Sequence, residues 1–105
     1  MAFLEVKDLT FFVVLGNWTD QGVRKIMESP DRAKMTHDMV KKAGGKIQLF
    51  YTMGPYDFVA VLEVPKDEDA MAILLCLGSM GNIRTTTMKA WTESDAAKII
   101  TAPHP

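Results

Sequence analysis

The chain has one cysteine, two histidines and no apolar run long enough to cross a bilayer. The lone thiol, Cys76, cannot close an internal disulfide, and two histidines beside it cannot complete a zinc cluster. No metal site is expected, and a reducing compartment fits this cysteine usage. The longest apolar stretch, Ala70 to Leu77, falls well short of the ~20 residues a spanning helix needs, so no membrane partner is expected. Met1 to Thr10 contains Glu5 and Asp8 and lacks the basic start, apolar run and cleavage site of a secretion signal. A cytoplasmic location is the resulting expectation. Charge of one sign is scarce too: 12 basic against 13 acidic residues leave a net charge of −1. Without a basic stripe, nucleic acid is not an expected partner.

What is present is a core. Hydrophobic residues make up 48% of 105, which suits one globular domain and argues against disorder. We read residues 1–105 as a single domain with its core over about 11–100. Residues 1–10 form an N-terminal extension, and 101–105, with Pro103 and Pro105, form a loose tail.

Periodicity sets the elements. Phe11 to Leu15 is a short, continuous apolar run, read as a strand buried on both faces and ending at the turn-like Gly16-Asn17. Thr19 is a good N-cap, and Trp18 before it can staple onto Val23. The helix should stall near Ser29-Pro30, with Ser29 capping a second stretch from Asp31 to Ala43 and Gly44-Gly45 ending it. Lys46 to Met53 alternates as a strand. Gly54-Pro55 is a short turn, so the next strand, Tyr56 to Val64, must run antiparallel. Asp67 caps a helix closed by Gly78 to Asn82. Ile83 to Trp91 is a threonine-rich strand, and Thr92-Glu93-Ser94-Asp95 opens a last helix through Ile100. The order is βαββαβ plus a terminal helix: an α+β, ferredoxin-like plan with a four-stranded antiparallel sheet and both long helices on one face.

Two strands lack the alternation that a wet sheet face requires. Phe11 to Leu15 and Phe58 to Leu62 are apolar on both sides. The face without helices should therefore be covered, most simply by the same face of a second copy, making a homodimer or a higher even oligomer with a barrel-like core. The helix over Met71 to Leu77 is apolar almost all round, so it should also be covered, by another subunit or by the terminal helix.

Several strings, taken in order, resemble the GYD-domain family. They are Trp18-Thr19-Asp20-Gln21-Gly22, Ser29-Pro30-Asp31-Arg32-Ala33, Gly44-Gly45-Lys46, Met53-Gly54-Pro55-Tyr56-Asp57-Phe58-Val59, and Leu77-Gly78-Ser79-Met80-Gly81-Asn82-Ile83-Arg84-Thr85. The resemblance covers about Phe11 to Glu93. It implies a dimeric α/β barrel, a fold whose wider relatives include cofactor-less monooxygenases, lactone isomerases, haem-binding enzymes and stress-related proteins. That breadth supports no single activity.

The residues that could carry chemistry are few. Tyr56 could act as an acid or donor and Asp57 as a base, although an aspartate in this place more often accepts backbone N–H bonds in the turn. His37 lies at the edge of the buried stripe Ala33, Thr36, Val40 and Ala43, where it could serve as acid, base or haem ligand, or simply edge onto solvent. Trp18, Tyr51 and Arg84 could line a ligand site, with Arg84 holding an anion. Three functions compete. One is a metal-free lyase, isomerase or cofactor-free oxygenase acting on a small compound, aromatic ones included. The second is a non-catalytic ligand-binding, assembly or accessory module. The third is haem binding, which needs a cofactor; the other two need none.

Overall fold

The computed structural model describes residues 9–103. The expectations for 1–8, including most of the N-terminal extension, and for His104 and Pro105 fall outside the described residues. Four strands, β1 (Thr10–Trp18), β2 (Lys46–Tyr51), β3 (Phe58–Val64) and β4 (Ile83–Ala90), form one sheet in the order β2-β3-β1-β4. Every neighbouring pair is antiparallel. The helices are α1 (Asp20–Arg24), α2 (Ser29–Lys42), α3 (Asp67–Ser79) and α4 (Glu93–Thr101). This is the ferredoxin-like α+β arrangement.

The core lies between the sheet and α2 and α3. Phe12, Val14, Phe58, Ala60, Leu62 and Val64 point to that side, and Val40 of α2 with Ala70 and Ile73 of α3 close on them. On the opposite face, cross-strand registry lays side chains in rows that are apolar over the two middle strands. One runs Phe50, Val59, Leu15, Thr86; the next runs Gln48, Val61, Val13, Met88. Val13, Leu15, Val59 and Val61 are half-buried there, while Phe50 is 52% and Met88 48% exposed.

Several boundaries differ from the sequence reading, each for a local reason. Gly16-Asn17 is not a turn: β1 runs on to Trp18. Gly16 faces Phe58 across the ladder, and a Cβ there would fall inside the Phe58 ring. The glycine is thus needed for a close approach within a strand. The first helix stalls earlier than expected. α1 ends at Arg24, a 3-10 turn spans Ile26–Glu28, and α2 begins at Ser29 with Pro30 in its first turn. Ser29 is not the cap; its hydroxyl is bonded to Tyr51 instead. Val23 is 55% exposed, and Trp18 packs on Tyr51 rather than stapling it. β3 starts at Phe58, two residues late, which leaves Tyr56 and Asp57 in the turn. Lys66, not Asp67, is the N-cap of α3, and the Asp69 carboxylate accepts its N–H at 3.1 Å. Thr92 does cap α4, accepting the Asp95 N–H.

α1 is clasped to the turn between α3 and β4. The Thr19 N–H donates to the Asn82 carbonyl at 3.0 Å and its hydroxyl to the Gly81 carbonyl at 2.6 Å. The Gln21 amide donates to the Met80 carbonyl and to the Asn82 side chain. Gly22 lies so close to the Asn82 carbonyl that a side chain there would collide with it.

Candidate functional site

A cavity of about 80 Å³ lies between α2, α3 and the helix-covered face of the sheet. Its walls are mostly aliphatic: Leu49, Ala60 and Leu62 from the sheet, Ile73 and Leu77 from α3. Polar groups enter from the α2 side. Ser29, Arg32 and Thr36 all line the cavity, because spacings of three and four residues put them on one helix face.

Two of the sequence candidates belong to this site. Trp18 and Tyr51 both line it, with ring centroids 6.0 Å apart and planes at 67°, an edge-to-face pair. The Tyr51 hydroxyl lies 2.9 Å from that of Ser29. The other candidates are placed elsewhere. Tyr56 and Asp57 do not line the cavity. The Asp57 carboxylate accepts the Trp18 backbone N–H at 3.0 Å and the Asn17 amide at 3.4 Å, while its own N–H donates to the Gly16 carbonyl. This is the turn-bonding arrangement that the residue type favours. Tyr56 is half-buried, and its carbonyl accepts the Thr52 hydroxyl. His37 is exposed and outside the cavity, so it is not placed to act there.

Arg84 is exposed and does not line the cavity; its Nη1 donates to the carbonyls of Gly78, near the end of α3, and Ile83. The cation beside the cavity is Arg32, which sequence reasoning missed. Its Nη1 donates to the Lys25 carbonyl at 3.1 Å and lies 3.9 Å from Glu28, while Nη2 is buried without a hydrogen-bond partner. The signal was present in the i, i+3, i+7 spacing of Ser29, Arg32 and Thr36, which puts the arginine on the inward face of α2.

Cys76, expected in an apolar setting, is exposed. Met71 and Leu75 of α3 are also exposed, at 63% and 62%, so α4 does not cover that side. Among the described residues no group of three or more His, Cys, Asp or Glu is placed to hold a metal, and no helix is long and apolar enough to cross a membrane.

The sequence profile of the GYD domain matches residues 12–100, nearly the whole of this fold. The chain belongs to the GYD-domain family. A relative named as a glutamine synthetase and cystathionine beta-lyase binding protein, from Thermus thermophilus, is 30% identical over 86 residues. The match covers 80% of this chain and 90% of the relative. No solved structure matches the chain.

Proposed function

We propose that this GYD-domain protein is a non-catalytic binding module, an accessory subunit that docks on metabolic enzymes. The observation that carries the reading is the similarity, over most of both chains, to a protein named for binding glutamine synthetase and cystathionine beta-lyase. The site geometry favours it as well. A metal-free lyase, isomerase or oxygenase built from the expected residues would gather His37, Tyr56 and Asp57 around one cavity. None of the three lines it, and the Asp57 carboxylate is committed to the β1 backbone.

The module acts as a homodimer. The half-buried and exposed apolar side chains of the helix-free sheet face suit isologous packing of two copies. Helix α3, with Met71 and Leu75 exposed, then remains available to the partner enzyme. A cytoplasmic location accompanies this role.

The test is direct binding of the purified chain to purified glutamine synthetase and, separately, to cystathionine beta-lyase, by biolayer interferometry. Saturable binding to either, weakened by Met71→Glu or Leu75→Glu, supports docking through α3. No binding to either enzyme at ~100 μM chain, well above the micromolar affinity of a transient interface, overturns the reading.

A further inference from the structure

We infer that the cavity beneath α2 is a binding site for a short aliphatic monocarboxylate, with Arg32 as its anion-binding residue. The inference is independent of the docking role, since it concerns the interior of one chain.

Charge gives the first reason. The Arg32 side chain is only 18% exposed, and the acidic group it pairs with among the described residues, Glu28, is 65% exposed and 3.9 Å away, beyond hydrogen-bond range. Among the described residues Nη2 has no hydrogen-bond partner. An arginine N–H pair left unsatisfied in a buried place is costly, and buried polar groups in folded proteins nearly always find a partner. No carboxylate lines the cavity among the described residues. An acceptor from outside the chain would satisfy Nη2, and a carboxylate is the acceptor that a guanidinium fork fits best.

A second donor stands on the same wall. Ser29 and Tyr51 share one hydrogen bond between two hydroxyls, so whichever of them accepts still has a proton to donate. Ser29 is itself 8% exposed. Arg32 and this hydroxyl pair give an anion two kinds of donor from α2 and β2.

Size and wall chemistry limit the rest of the ligand. A water-sized group occupies ~10–15 Å³ of such a cavity, so about 80 Å³ holds a molecule of only a few non-hydrogen atoms. Leu49, Leu62, Ile73 and Leu77 offer an apolar tail nothing to hydrogen-bond. Amino acids, whose ammonium group would be desolvated beside Arg32 with no acid to meet it, are disfavoured.

The experiment titrates the purified protein with isovalerate and with its neutral isostere isovaleramide, at constant ionic strength, following thermal stability and the NMR signal of the Arg32 Nε–H. Isovalerate is expected to raise Tm saturably and to shift that signal, and isovaleramide to do neither. Arg32→Gln should weaken isovalerate binding at least about tenfold, the loss expected for a charged hydrogen bond. Ala33→Leu, which keeps the guanidinium but fills the cavity, should weaken it too. If Arg32→Gln does not fold, the acid–amide comparison on the native chain decides. No saturation by isovalerate up to ~10 mM, equal binding of the amide, or undiminished binding by folded Arg32→Gln would each overturn the assignment.

Discussion

The hydroxyls of Ser29 and Tyr51 lie 2.9 Å apart and join the first residue of α2 to the last residue of β2. Tyr51→Phe removes the bond and leaves a buried serine hydroxyl without its partner. The expected loss of stability is ~1–3 kcal/mol, read from urea denaturation. Adding Ser29→Ala should cost little more, since removing both partners avoids the orphaned group. Equal and additive losses would mean the bond does not form.

Gly16 and Phe58 make a second coupled pair. Gly16→Ala forces the Phe58 ring out of its place, at ~1–3 kcal/mol. In a Phe58→Leu background the same alanine should cost less than in the native chain, because the smaller side chain leaves room. A double-mutant cycle by chemical denaturation checks the sign of that coupling.

The Asp57 carboxylate is assigned to the backbone, so its loss should appear in stability rather than in function. Asp57→Ala should destabilise by ~1–3 kcal/mol while leaving the affinity for a partner enzyme unchanged. A stable variant that has lost binding would contradict the assignment.

Exposed His37 carries no such role. His37→Ala should change stability by less than ~0.5 kcal/mol and leave isovalerate and partner binding intact. A tenfold loss of either would return this residue to the functional surface.

On the helix-free face, Phe50→Glu and Met88→Glu place charge where two copies would meet, at positions already half-exposed in the single chain. The variants should keep the circular dichroism spectrum of the native protein and run as monomers in multi-angle light scattering at micromolar concentration. A native chain that is itself monomeric there would remove the dimer.

The strand and helix order was legible because each element carries its own period: the alternation from Lys46 to Tyr51, the apolar run of β3, the Thr92 cap of α4. Gly16 was misread because glycine before asparagine signals a turn locally, and nothing in the neighbouring residues announces a ring 42 positions away. Ser29 was misread for a similar reason, since Tyr51 competes for the hydroxyl that would otherwise cap a helix. At the site, Trp18 and Tyr51 were found through their size. Arg84 drew attention as a strand cation, whereas Arg32, hidden in a polar-looking helix start, is the one whose face turns inward.

Thr10 and Val64 pair across the two middle strands although 54 positions separate them. β2 and β3, by contrast, meet through a short turn and can zip as a hairpin within microseconds. β1 must close this loop and a still longer one to β4, where Phe11 pairs with Ala90 79 positions away, and so sets the pace of refolding. Changes in β1, Gly16→Ala among them, should therefore slow folding, while changes confined to the α2–β2 junction should mainly hasten unfolding.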